Sequence, residues 1–193
     1  SVASCLAQSE LGVRLLCRQS HSLLNTISKE NLNFIVDNSG TIGLSTAFWL
    51  AKNNTLFKEQ QPLLAVQQYR LAKLISEDTL NYLVASNAQD DEKNAYGSGL
   101  SVAYWMAQCN DDLDILTSSK YRLTNLINAE TLNAVIDCAS EAYNGLSVLF
   151  HLCCSDKGMH LLSKKKCRLS SLITEQSLNN IVHNEKHGGV SVA

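Results

Sequence analysis

The sequence predicts an all-α fold, a right-handed α-solenoid of about four three-helix repeats. Three observations carry that prediction. A ten-residue phrase is written four times, as ISKENLNFIV from Ile27, ISEDTLNYLV from Ile75, INAETLNAVI from Ile127 and ITEQSLNNIV from Ile173. A second phrase precedes each copy: SVASCLA from Ser1, STAFWLA from Ser45, SVAYWMA from Ser101 and SVLFHLC from Ser147, with a fragment, SVA, at Ser191. Counted between these serines the modules are 44, 56, 46 and 44 residues long, and internal periods of about 20–50 residues mark stacked repeat architectures. The 193 residues then form one helical-repeat domain with modules at 1–44, 45–100, 101–146 and 147–190.

The unequal lengths have a local origin. From the serine to an aromatic slot (His21, Tyr69, Tyr121, Cys167) the step is 20, 24, 20 and 20 residues. The second module therefore carries four extra residues between about Asn53 and Pro62, and a longer connection, SNAQDDEKNAYGSG, after its ten-mer. Both chain ends fall inside the first helix of a module, which predicts a fragment of a longer array, because solenoids need capping repeats.

Helix A opens at each repeated serine, two residues after Gly43, Gly99, Gly145 or Gly189. Glycine permits the backbone turn and serine is a strong N-cap. The apolar Val102, Ala103, Trp105 and Met106 predict a short helix buried on more than one side. Helix B ends in paired apolar residues, Leu15-Leu16, Leu63-Leu64, Ile115-Leu116 and Leu161-Leu162. Helix C is the ten-mer. Its cap slot holds Ser28, Ser76, Asn128 or Thr174, and losing such a cap costs about 1 kcal/mol. Glu30, Glu77, Asp78, Glu130 and Glu175 follow in the first turn, where the helix dipole favours them. Leu80, Leu83 and Val84 at i, i+3 and i+4 make one apolar stripe. One such module cannot bury its own faces, so the chain repeats them to cover each with the next.

A column of asparagines, Asn33, Asn81, Asn133 and Asn179, follows the central leucine of every ten-mer. Asparagine is a mediocre helix former, so four copies require a reason. Side-chain amides bonded to the backbone of the neighbouring module supply one; a ligand-binding row is the alternative.

Net charge is −2, which does not indicate nucleic-acid binding by bulk charge. No run approaches the roughly 18 apolar residues of a membrane span, and no signal peptide is visible. The seven cysteines are odd in number and lack CxxC spacing. They read as reduced thiols in a cytoplasmic compartment rather than as a secreted disulfide framework. There the Asn53-Asn54-Thr55 sequon is an accident of composition.

Thr46-Ala47-Phe48-Trp49-Leu50-Ala51 and Val102-Ala103-Tyr104-Trp105-Met106-Ala107, each after a glycine turn and before a helix ending in two apolar residues, resemble a degenerate ankyrin motif, T-P-L-H-x-A. The chain departs from it: Pro62 is the only proline, Trp49 and Trp105 stand in the histidine place, and helix C is additional. Armadillo and HEAT repeats, of comparable length, stay open. Such degenerate long-unit repeats are similar to those in secreted effectors of intracellular bacterial pathogens. That resemblance implies a docking surface for host proteins and a place in the host cytosol.

Reactive side chains are judged by their columns. Cys153 shares one with Ala7, Ala51 and Ala107; Cys5 and His151 share one with Trp49 and Trp105; Cys167 and His21 share one with Tyr69 and Tyr121. These read as core, since free cysteine behaves as a small buried hydrophobe. His151, Cys153, Cys154 and His160 crowd together as zinc ligands would, but Cys153 and Cys154 point about 100° apart on a helix, so no metal is expected. His183 and His187 read as solvated residues at a helix end. No nucleophile elbow, phosphate-cradling glycine loop or HExxH is present, so neither enzyme nor cofactor is expected of this chain.

Binding candidates are two. Lys164, Lys165 and Lys166 with Arg168 make a basic cluster at the helix B to C turn, and Arg70 and Arg122 share the Arg168 column. They read as a solvated turn or as a surface for an acidic partner. The 86–98 loop offers Asp90, Asp91, Glu92, Lys93 and Tyr96, since insertions in repeat arrays map to one face, often the binding face. The function expected is a protein–protein interaction scaffold. The alternative is a substrate-recruiting or regulatory part of a larger enzyme.

Overall fold

Serine hydroxyls start each module as expected. Ser1, Ser45, Ser101 and Ser147 accept the backbone N–H of Ser4, Phe48, Tyr104 and Phe150 at 3.0–3.2 Å. The computed structural model describes residues 1–16, 23–35, 44–56, 70–84, 98–137, 144–182 and 190–192. Within these the fold is all-α apart from one short strand pair. Module 1 holds α1 (Val2–Ala7), α2 (Glu10–Leu16) and α3 (Lys29–Asn33). Module 2 holds α4 (Thr46–Leu56), α5 (Arg70–Leu74) and α6 (Glu77–Asn81). Module 3 holds α7 (Val102–Gln108), α8 (Asn110–Thr117) and α9 (Ala129–Asn133). Module 4 holds α10 (Val148–Cys153), α11 (Asp156–Leu162) and α12 (Glu175–Leu178), then the antiparallel pair β1 (Ile181–Val182) and β2 (Val190–Ser191). No described helix is long and apolar enough to cross a membrane. Leu63-Leu64, Gly43, Gly189, His21, Tyr69, His183 and His187 lie outside the described residues.

Three-helix modules need two corrections. A 3₁₀ turn, Leu23–Thr26, Leu123–Asn125 or Leu169–Leu172, precedes helix C in modules 1, 3 and 4, and α5 takes that place in module 2. Helix C itself is one short helix, so the stripe of Leu80, Leu83 and Val84 does not form on it. α6 ends at Asn81 and Tyr82 is extended, with φ −61° and ψ 115°; Phe34 leaves α3 the same way. The asparagine amide bonds the carbonyl four residues back, offering the backbone an exit. The β-branched and aromatic residues that follow favour extended chain. Val84 N–H donates to Leu100 O at 2.9 Å, and Ile136 N–H to Leu146 O at 2.8 Å. The end of the ten-mer thus lies beside the residues that lead into the next helix A. Gly99 and Gly145 make that turn at φ +88° and +81°, where a side chain is strained. Ser98 and Asp137 exchange backbone bonds, tying the turns that follow the second and third ten-mers to each other.

The caps of helix C hold in all four copies. Ser28, Ser76, Asn128 and Thr174 accept from the backbone N–H three residues on. Equivalent elements then pack on one another, α1 on α4, α4 on α7, α7 on α10 and α8 on α11, and helix C of module 1, α3, packs on α5 of module 2. The core runs along helix A, with Leu50, Ala51, Ala103, Met106, Leu149 and Leu152 sealed from solvent. An edge-to-face aromatic row crosses three modules. Phe48 meets Trp105 at 6.2 Å, Trp105 meets Tyr104 at 5.4 Å, and Tyr104 meets His151 at 5.1 Å. Asn53 is buried with its amide donating to the Ala7 carbonyl, so its sequon is closed to modification.

Helices A and B cross tightly in modules 1 and 4. A Cβ on Gly158 would lie 2.2 Å from Leu152 O, and one on Gly12 2.1 Å from Leu6 O. Module 3 has Asp112 in this column, where α7 runs one residue longer before the turn. Gly158→Ala therefore lowers stability by about 1–3 kcal/mol through overpacking, although alanine is the better helix former by about 1 kcal/mol. Urea unfolding of the variant checks the sign.

Candidate functional site

The packing of consecutive modules is fastened by the asparagine column. Asn33 Nδ2 donates to Leu74 O at 2.8 Å while Asn33 Oδ1 accepts Ser76 N–H at 2.8 Å. Asn81 does the same with Leu126 O and Asn128 N–H at 2.7 and 2.9 Å. Asn133 repeats it with Leu172 O and Thr174 N–H at 2.8 and 3.3 Å. Thr79 and Thr131 hydroxyls donate back to the Asn33 and Asn81 carbonyls at 3.2 and 3.0 Å. These three amides are thus committed to the fold, as expected, and are not a ligand row; Asn179, the fourth, donates to Glu175 O in its own helix.

With the modules clasped at helix C, their B–C turns stand side by side and leave a cleft of about 370 Å3 between modules 3 and 4. α8 ends at Thr117 and the chain turns through residues 118–122. Arg122 sits in the left-handed region at φ +58°, which costs a non-glycine residue about 1–2 kcal/mol. Strain of that kind clusters at functional positions. Across the cleft α11 ends at Leu162, and residues 163–168 carry the lysines. The Arg168 guanidinium donates from Nη1 to Asn125 O at 3.0 Å and to Ile127 O at 2.7 Å. Those carbonyls belong to module 3, so Arg168 is fixed across the junction.

Arg122, Lys164, Lys166 and Arg168 line this cleft together, and no lining residue is Asp or Glu. Hydroxyls of Ser119 and Thr124 add neutral donors, Thr117 gives its own O–H to Leu113 O at 2.8 Å, and Leu161, Cys167 and Leu169 add apolar wall. Like charges in one cleft repel one another, and an incoming anion relieves that repulsion. The ion pair that joins α8 to α11, Lys157 to Asp114, involves other residues.

Of the residues singled out from the sequence, Lys164 and Arg168 are brought together here. Lys165 is exposed but is not part of the wall. Asp90, Asp91, Glu92, Lys93 and Tyr96 lie outside the described residues. Lys166 and Arg122, noted only as neighbours in a run and a column, prove to be walls. Thr117, Ser119 and Thr124 were not anticipated; the signal for them is the register, which sets turn 117–122 of one module beside turn 163–168 of the next.

The cysteine–histidine group does not converge. His151 packs edge-on against Tyr104 and Phe150, Cys153 lies against the core, and Cys154 and His160 are exposed. Among the described residues no three His, Cys, Asp or Glu side chains are placed to hold a metal. Burial pushes the Cys153 thiol up, away from the thiolate form that reacts. Lys52, half-buried with its ammonium 5.1 Å from the Trp49 ring, is pulled down to about 8 by desolvation. No protein-family model, curated protein or solved structure was found to match this chain.

Proposed function

We propose that the chain is a protein-binding repeat array, a right-handed α-solenoid whose third and fourth modules hold an acidic segment of a partner protein in the cleft between them. The observation that carries this reading is the cleft itself, with four cations and no carboxylate in its walls. Solenoids present their binding surfaces along such rows of equivalent turns. Hairpin-like turns ahead of helix A, paired across modules at Ser98 and Asp137, support the ankyrin-like form of the array. In the effector setting the partner is a host protein.

The cleft supplies each part that an acidic peptide needs. Lys164 and Lys166 give mobile charges that attract carboxylates, and Arg168, already fixed by module 3, gives a charge in a set place. The Ser119 and Thr124 hydroxyls bond the carboxylate oxygens left over. The apolar wall receives one aliphatic side chain of the segment. Such charge complementarity acts on the association rate and is screened by salt.

The test uses a fluorescent Asp/Glu-rich peptide as probe, with anisotropy as the readout. The unmodified chain binds it, and the double variant Lys164→Glu/Lys166→Glu weakens binding at least about tenfold, or 1.4 kcal/mol. Raising salt to about 1 M, where the screening length is about 3 Å, abolishes the difference. Equal binding by the double variant, or tighter binding of a single-stranded oligonucleotide than of the peptide, overturns the reading.

A further inference from the structure

Two arginines of one repeat position are used in opposite ways, and both end in the same cleft. Arg122 and Arg168 each stand just ahead of the 3₁₀ turn of their module. Arg168 is right-handed, with φ −58° and ψ −38°, and its Nη1 is held by Asn125 O and Ile127 O of the module before. Arg122 is left-handed, with φ 58° and ψ 19°. No described group accepts a hydrogen bond or an ion pair from its guanidinium. Instead of reaching back to module 2, as Arg168 reaches back to module 3, Arg122 lines the cleft together with Arg168. A left-handed arginine is kept against a steric cost, and strain of that kind gathers where a side chain is used.

The density of charge narrows what the cleft can hold. Arg122, Lys164, Lys166 and Arg168 surround a space of about 370 Å3, and no described carboxylate is paired with any of them. That volume is near the small end of ligand clefts, about 300–1,000 Å3. It has room for one side chain and its neighbours, so a segment that brings one charge per residue leaves much of the positive charge unmatched. A phosphoryl group carries about −1.5 to −2 near pH 7 on three strong acceptor oxygens. The placement of the donors suits three oxygens. Ser119, Arg122 and Thr124 stand on the module 3 wall, and Lys164, Lys166 and Arg168 on the module 4 wall. A carboxylate accepts close to one plane, whereas a tetrahedral group accepts from both walls at once. With Nη1 of Arg168 spent on module 3, its Nε and Nη2 remain as a fork for two oxygens of one group.

We infer that the group held in this cleft is a phosphorylated hydroxyl side chain of the partner protein, an inference that rests on the binding of an acidic segment there and narrows it. The phosphoryl group is held between Arg122 and Arg168, and Lys164 and Lys166 supply the rest of the countercharge. A neighbouring aliphatic residue of the segment lies on Leu161 and Leu169. Without its phosphate the same segment brings neither the charge nor the acceptors, so phosphorylation of the partner switches the contact on and its removal switches the contact off.

Fluorescence anisotropy of the full chain tests this with three peptides that differ at one residue, phosphoserine, glutamate or serine, each beside one leucine. The phosphoserine peptide is expected to bind at least about tenfold more tightly than the glutamate peptide, and the serine peptide not measurably. Arg122→Gly weakens the phosphoserine peptide at least about tenfold while the thermal midpoint holds or rises, because glycine adopts the left-handed backbone freely. Equal binding of the phosphoserine and glutamate peptides overturns the inference and leaves the acidic-segment reading in place. Binding of neither, nor of the Asp/Glu-rich peptide, removes both. Unchanged phosphoserine binding by Arg122→Gly overturns the inference as well. So does displacement of the peptide by an equal concentration of inorganic phosphate, or tighter binding to phosphoinositide-containing vesicles or to a single-stranded oligonucleotide.

Discussion

Replacing Asn81 by alanine lowers the unfolding free energy by about 2–3 kcal/mol, whereas the same change at Asn179 costs less than about 0.5 kcal/mol. Asn81 donates to Glu77 O and Leu126 O and accepts from Asn128 N–H, all within 3 Å. Alanine leaves Leu126 O and Asn128 N–H at a partly buried junction without those bonds, and each such group costs about 1–3 kcal/mol. The lower part of the range applies because the junction is not fully dry and alanine regains about 0.5 kcal/mol of helix propensity. Asn81→Asp is the sharper probe. It keeps the acceptor for Asn128 but aims a carboxylate at two carbonyls, so it destabilises at least as much as alanine. On propensity alone, alanine stabilises at both sites equally. Urea denaturation of the three variants distinguishes the two accounts, and a neutral Asn81→Asp sinks the clasp.

That clasp was legible in the sequence, and the reason is physical. A polar residue of poor helix propensity that recurs in four aligned helices needs partners, and in a repeat the nearest backbone belongs to the next module. The serine caps were legible on the same grounds, since each is a residue type with one strong use at one position. The stop of helix C was not. Leu80, Tyr82 and Val84 alternate as a strand would, while Leu80, Leu83 and Val84 keep helical spacing, and a short apolar run does not choose between them. The choice is made by the side chain of Asn81, turned back on Glu77, and by Leu100 waiting opposite Val84.

The cleft was half legible. Lys164, Lys165 and Arg168 announce a positive turn, but whether that turn is a solvated surface or a wall depends on what stands opposite. Thr117, Ser119 and Arg122 stand opposite, more than forty residues earlier in the chain. Register identifies the neighbours; only packing sets the gap between them. Arg168 shows the difference most clearly. As a column mate of Arg70 and Arg122 it reads from the sequence as part of a solvated turn or of a surface for an acidic partner, and in the structure it is tied to two carbonyls of module 3.

Trp105→Ala is the most damaging single change expected, at about 3–5 kcal/mol. Trp105 is buried in the middle of the aromatic row, with Phe48 of module 2 on one side and Tyr104, leading to His151, on the other. Its loss leaves a large void and removes two edge-to-face contacts worth about 0.5–1.5 kcal/mol each. Against a total stability of about 5–15 kcal/mol, the chain becomes marginal. The way it fails also tests the architecture. In an array held by nearest-neighbour contacts, weakening one interior module uncouples the pieces on either side. Trp49 is then the only tryptophan left and reports on module 2 alone. In the parent chain the fluorescence and far-ultraviolet dichroism transitions coincide; in Trp105→Ala they separate, because modules 2 and 4 no longer unfold together. His151→Ala, at the open end of the same column, costs less than about 1.5 kcal/mol and leaves the transitions coincident. A Trp105→Ala variant that unfolds as one unit, at a cost no larger than that of His151→Ala, would mean that the modules do not depend on one another through this row.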